Sequence, residues 1–223
     1  MPARIGPNAI TRIAEALASM AGPEARRRVF LMAQLLPHLR HPPEAMVPDE
    51  EVARLHEALV LELGPARAAQ ISAEAGRLTA EYLLANRIPR LAQRVLGLLP
   101  RRAALWVLLK AIERHAWTFV GGGSFRWQAG TIFRLSLQGG PVCRNLKSDC
   151  PACAYYAATF EHLFRRIINA DIDASIHHIE ELIERARWAG LGRTIWDGWK
   201  EARRFYALVF DIPVHYGRYA WTM

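Results

Sequence analysis

Lysine is scarce in this 223-residue chain: only Lys110, Lys147 and Lys200 occur among 29 basic residues, so the net charge of +8 is carried almost entirely by arginine. The arginines are scattered, and no polybasic block stands out. Guanidinium groups suit phosphate, carboxylate and anionic membrane partners alike. With no basic block, nucleic acid is not an expected partner, and a coding preference for Arg and Ala accounts for the balance equally well. Cysteine is as rare, with three residues all lying between Cys143 and Cys153. That is too few and too clustered for the disulfide framework of a secreted domain, and a reducing compartment is expected. No apolar run reaches the ~18–20 residues needed to cross a bilayer, and residues 1–22 lack the charged-then-apolar pattern of a signal peptide. The expectation is a soluble, cytoplasmic protein without a membrane span.

Phosphate-cradling loops are missing too. Gly121-Gly122-Gly123-Ser124-Phe125 does not satisfy G-x-G-x-x-G, no acidic residue follows it at dinucleotide spacing, and there is no Walker A loop. Three separated cysteines fall short of the four thiolates of an iron–sulfur cluster. No cofactor is expected from a recognisable motif. The carboxylate pairs Glu50-Glu51 and Glu180-Glu181 read as solvated helix faces.

What is present is a globular composition, 52% apolar and 22% charged, in a chain long enough for one elaborated domain or two small ones. The first half reads as successive helices bounded by Pro or Gly. Ile10, Ile13, Leu17 and Met20 recur at helical steps over 8–20, and Ala21-Gly22-Pro23 ends that run. Further helices are expected over 23–36, 49–63, 65–86, 91–98 and 101–114, with the proline-rich stretch 38–48 as a connection. From His115 the pattern changes. Aromatic and β-branched residues over 117–128, and the alternation of Phe133, Leu135 and Leu137 with polar positions, predict two strands joined by a short turn. A loop over 139–149 leads to a helix over 151–168, and helical spacing returns over 173–187 and 194–210. The expected fold is α+β: a helical N-terminal half (1–114), a core of small antiparallel sheet packed by helices (115–170), and a helical, aromatic-rich C-terminal segment (171–223).

Three constellations carry candidate chemistry. Cys143, Cys150 and Cys153 offer three soft donors for zinc, with His162 or His115 as a fourth ligand. The same residues also read as a redox pair at a helix start, or as reduced thiols filling buried gaps. His115, Trp117 and Phe119 precede the three glycines. An imidazole beside large aromatics suits a flat macrocycle holding magnesium or iron, while the alternative is a histidine bonded to a backbone carbonyl at a helix end. Arg87 and Arg90, separated by Ile88-Pro89, form a stiffened basic pair able to clamp a carboxylate or ester, or else a helix C-cap beside a surface charge.

Taken together, Ile5-Gly6-Pro7-Asn8-Ala9, the stretch from Tyr82 to Arg90, His115-Ala116-Trp117-Thr118-Phe119, and the cysteine segment running into Ala154-Tyr155-Tyr156 resemble the bacteriochlorophyll 4-vinyl reductase family. The resemblance spans about residues 5–168. It implies a vinyl-4-reductase (V4R)-like, ligand-binding α+β module, a role at reduction of the 8-vinyl group of a divinyl protochlorophyllide-type intermediate, and a magnesium tetrapyrrole as ligand or substrate. His115, Trp117, Phe119, Arg87, Arg90, Tyr155 and Tyr156 are the expected ligand-binding residues. Other bacteriochlorophyll biosynthesis enzymes are the implied protein partners. Three modes fit: a carrier that binds and delivers the pigment, a reductase fed by an external electron donor, and an assembly factor for pathway enzymes. Family members usually close with a pair of cysteine-bearing strands, whereas residues 171–223 hold no cysteine and read as helical. The tryptophans there, Trp188, Trp196, Trp199 and Trp221, suit packing on the domain or contact with a partner or membrane surface.

Overall fold

Apolar spacing builds the N-terminal half. The computed structural model describes residues 3–129, 133–144 and 154–168, together with the backbone of 173–178 and 205–211. Helix α1 (Asn8–Met20) buries Ile10, Ile13 and Leu17 completely, worth about 1.5–3 kcal/mol for each side chain removed from water. Gly22, at φ +83°, turns the chain into α2 (Gly22–Met32). The helix expected to reach residue 36 stops at Met32, because Gln34 adopts a left-handed φ of 61°, and Pro37 then starts the single turn α3 (Pro37–Arg40) inside the expected connection.

Strand β1 (Arg4–Ile5) pairs antiparallel with β2 (Val47–Pro48), which delivers the chain into α4 (Asp49–Leu63). Gly64 at φ +76° and Pro65 separate α4 from α5 (Pro65–Asn86), and α6 (Arg90–Leu98) and α7 (Arg101–Arg114) follow. No helix among the described residues is long and apolar enough to cross a membrane.

The second half supplies the sheet. Residues 117–120, expected as strand, form the helical turn α8 (Trp117–Val120). The Val120 N–H donates to the Ala116 carbonyl at 2.9 Å, and Gly121 at φ +58° ends the turn, so local hydrogen bonds and a left-handed exit override the β preference of these side chains. The expected hairpin is β3 (Ser124–Gln128) and β4 (Phe133–Gln138), paired through Phe125–Leu137 and Trp127–Leu135. Phe133, Leu135 and Leu137 face inward while Arg134 is exposed, as the alternation requires.

Residues 173–178 and 205–211 correct the helical reading of the C-terminal segment. They are strands β5 (Asp173–His178) and β6 (Phe205–Asp211), completing an antiparallel sheet in the order β3-β4-β6-β5. Phe205-Tyr206-Ala207-Leu208-Val209-Phe210 is a continuous apolar run, in which periodicity does not separate strand from buried helix, and pairing on both edges selects strand. The rest of the segment lies outside the described residues. The class is thus α+β, with a helical N-terminal half and a small antiparallel sheet.

Helix α9 (Ala154–Ile168) ties the halves together by crossing α5. A Cβ on Gly76 would stand 2.2 Å from the Tyr155 carbonyl oxygen, so only glycine admits this approach. The Thr159 hydroxyl donates across the crossing to the Gly76 carbonyl at 3.1 Å.

Candidate functional site

The three glycines form a pinned turn. Asp49, 5% exposed at the start of α4, accepts from the Gly122 N–H at 2.9 Å and from the Arg144 guanidinium at 2.6 Å. Burial alone would raise its carboxyl, but the Arg144 hydrogen bond, the Gly122 N–H and the Arg144 charge outweigh it and hold the group below its ordinary value of 3.8. Gly121 lies so close that a Cβ there would meet the Asp49 carboxylate oxygen at 2.6 Å. Arg144 also donates to the Gly139 carbonyl at 3.2 Å, joining the far end of β4 to this knot. The glycines therefore hold the exit of α8 against α4.

The knot fixes the segment that carries His115, Trp117 and Phe119. His115 is exposed, with its Nδ1 2.9 Å from the Ala111 carbonyl. A carbonyl only accepts, so Nδ1 carries the proton, and in the neutral ring Nε2 keeps its lone pair for a ligand. Trp117 is 61% exposed two positions on. Phe119 points the other way, into an aromatic cluster with Phe125 at 5.5 Å, Phe160 at 5.8 Å and Tyr156 at 6.2 Å between ring centroids. Tyr156 is buried and donates its hydroxyl to the Phe119 carbonyl at 2.8 Å. Of the seven expected ligand-binding residues, the structure brings Phe119 and Tyr156 together from distant parts of the chain.

Tyr155 adjoins Tyr156, with ring centroids 5.5 Å apart, but turns to a different neighbourhood. Its hydroxyl lies 2.8 Å from that of Thr79 on α5, and burial pushes its phenol up to about 12. The ring stands edge-on to His56 at 5.9 Å. His56, 2% exposed, has a buried Nε2 without a hydrogen-bond partner, and desolvation lowers its pKa to about 4. Arg87, the C-cap of α5, and Arg90, the first residue of α6, are exposed, and no hydrogen bond, ion pair or ring contact among the described residues joins them to His115 or the aromatic cluster. Cys143 is a buried free thiol, whereas Cys150 and Cys153 lie outside the described residues, and with them the expected three-thiol set. His162, a proposed fourth ligand, faces Glu81 across the α5–α9 crossing at 3.8 Å.

Asp49, Arg144, His56 and Thr79 were not singled out from the sequence. Asp49 was legible only as a helix start, and its link to Arg144 spans 95 positions, beyond any local pattern. His56 sits one turn below Ala53 and Val52 on the buried face of α4, so its burial follows helical phase, though its orphaned nitrogen does not.

Comparison with known proteins bears on this arrangement. No family model matches the chain. The bacteriochlorophyll synthase 23 kDa chain of Cereibacter sphaeroides is 41% identical over 74% of this chain and 79% of the relative, and its namesake from Rhodobacter capsulatus is 34% identical over 74% and 76%. Among solved structures, an Fe(II) unliganded H-NOX protein mutant from K. algicida superposes with a TM-score of 0.55 at 10% identity, covering 95% of this chain and 98% of that one. A second H-NOX structure, from work on heme distortion in that family, gives 0.54 at 10% identity over 98% of this chain and 100% of its own. At such identity the likeness is one of fold. The sequence kinship goes further, and the chain belongs to the family of the bacteriochlorophyll synthase 23 kDa chain.

Proposed function

We propose that this protein serves bacteriochlorophyll biosynthesis at reduction of the 8-vinyl group of a divinyl protochlorophyllide-type intermediate, by binding the tetrapyrrole and delivering it to the enzyme that reduces it. The supporting observation is the 41% identity to a bacteriochlorophyll synthase chain. The residues that would receive the pigment are His115 and Trp117. With its Nδ1 proton directed at the Ala111 carbonyl, His115 presents Nε2 outward, the arrangement that orients an imidazole toward a metal. Trp117 adds an exposed apolar plane for the face of the macrocycle. The fold class hosts a heme in another family, to judge from the H-NOX work on heme distortion. Arg87 and Arg90 remain candidates for a carboxylate or ester on the ligand, Phe119, Tyr155 and Tyr156 for the wall behind it, and the cysteines for a zinc site.

The carrier reading rests on the exposed His115 and Trp117 as a receiving surface, and a reductase fed by an external donor is the alternative. Titration of the purified protein with a divinyl magnesium porphyrin, followed by quenching of its intrinsic fluorescence, is expected to show saturable binding. Absence of saturable quenching would overturn the carrier. Anaerobic incubation with divinyl substrate and NADPH or reduced ferredoxin separates the two readings, since an 8-ethyl product formed by this chain alone would make it the reductase.

A further inference from the structure

The apolar stripe of α6 faces the wrong way for a core helix. Leu91, Val95 and Leu98 follow one another at i, i+4 and i+7 on a single face, and they are 72%, 51% and 86% exposed. A surface helix normally turns such a stripe inward. Here the inward side carries Leu96 and Gln93, and the Gln93 amide donates to the Leu84 carbonyl at 2.7 Å and the Ile88 carbonyl at 2.8 Å. The polar side chain thus anchors the helix and fixes its rotation, with the three aliphatic residues presented to the exterior. Leu99 at the turn and Trp106 on α7 are exposed as well.

The charge around this face is segregated. Between Glu81 and Glu113 the chain has Arg87, Arg90, Arg94, Arg101, Arg102 and Lys110 and no carboxylate. The signal lies in the missing acids, since apart from Arg101-Arg102 the basic residues are spread singly. Arg90 and Arg94 border the aliphatic stripe along one side of the helical wheel, and neither is paired with a carboxylate among the described residues. An aliphatic stripe bordered by unpaired guanidinium groups is the composition of a helix lying in a lipid interface, where the apolar face enters the acyl boundary and the cations meet headgroup phosphates. A second copy of this face would bring like charge against like.

We propose that the outward face of α6 seats the protein on an anionic phospholipid surface. It shares Arg90 with the pigment reading, but it is tested without pigment and stands or falls separately. The full chain, without pigment, is to be sedimented with vesicles of mixed phosphatidylglycerol and phosphatidylcholine and with vesicles of phosphatidylcholine alone. The expected result is cosedimentation with the anionic vesicles only, weakened by added salt. L91S/V95S/L98S is expected to lose binding while keeping its far-UV circular dichroism, because the three side chains are exposed. R90E/R94E, which leaves the stripe intact, is expected to weaken binding at least about tenfold. No sedimentation with anionic vesicles, equal sedimentation with neutral ones, or wild-type binding by both variants would overturn the proposal. So would a dimer that L91S/V95S/L98S abolishes in a protein that ignores vesicles, which would assign the face to self-association.

Discussion

The hydroxyls of Thr79 and Tyr155, 76 positions apart, meet at 2.8 Å inside the α5–α9 crossing. Thr79 is also bonded to the Ala75 carbonyl of its own helix at 2.8 Å, so it relays the phenol to the α5 backbone. Thr79→Val keeps the volume and leaves the buried phenol without its partner. A loss of about 1–3 kcal/mol in urea unfolding is expected, and Tyr155→Phe in the same background is expected to recover part of it. Equal stability of Thr79→Val and wild type would show the bond to be of no consequence.

His56 makes stability depend on pH. Its folded pKa of about 4 lies below the ordinary 6.5, so between these values the unfolded chain binds a proton that the folded chain does not. The contribution is complete above about pH 6.5 and is lost as pH falls toward about 4, amounting to about 3 kcal/mol across the window. Burial lowers His162 as well, with the same sign. His56→Phe is therefore expected to flatten the midpoint-versus-pH curve between these limits in part, and an unchanged slope would contradict the assignment.

Gly76→Ala tests the close crossing. In an exposed helix the substitution gains about 1 kcal/mol of helix propensity. At Gly76 the new methyl would stand 2.2 Å from the Tyr155 carbonyl oxygen, a backbone atom with little room to yield. A net destabilisation of about 1–3 kcal/mol is expected, seen as a lowered Tm.

The knot at Asp49 separates strain from collision. Gly22 and Gly121 both have positive φ, +83° and +58°, but a Cβ at Gly22 would meet nothing within 4 Å whereas one at Gly121 would strike the Asp49 carboxylate. Gly22→Ala is expected to lose about 1–2 kcal/mol from the left-handed backbone alone. Gly121→Ala should lose clearly more, and equal midpoints in denaturant would mean that α4 moves aside freely.

His115 is exposed, and its replacement costs one surface hydrogen bond. His115→Ala is expected to shift the Tm little while weakening magnesium porphyrin binding about tenfold or more, with metal-free porphyrin affected far less. Equal loss for both ligands would remove the imidazole from the metal and leave it a packing role.

The helical half was legible because its boundaries are chemical: Pro65 and Gly64 mark one junction, Gly22 another, and Ile10, Ile13 and Leu17 declare the buried face of α1. The β3–β4 hairpin was legible from the two-residue alternation of Phe133, Leu135 and Leu137. Trp117–Val120 was misread because its aromatic and branched side chains favour strand, and only Gly121 and the backbone bonds behind it reveal a helical turn. Asp173–His178 and Phe205–Asp211 were misread because their partners are distant: β6 lies against β4, and no local feature of the segment announces that pairing. The candidate site was legible only as residue types. Which of them meet depends on the α5–α9 crossing and on the Asp49–Arg144 link, both long-range.

Strand order also dictates what the nascent polypeptide endures. β6, latest of the described strands in the chain, lies between β4 and β5. On the ribosome the β3–β4 hairpin emerges first, and at ~5–20 residues per second several seconds pass before β6 arrives to cover the open edge of β4. For that interval an aliphatic edge stands bare to neighbouring chains. Slower translation at low temperature lengthens it, and with it the time in which two half-built sheets can meet edge to edge.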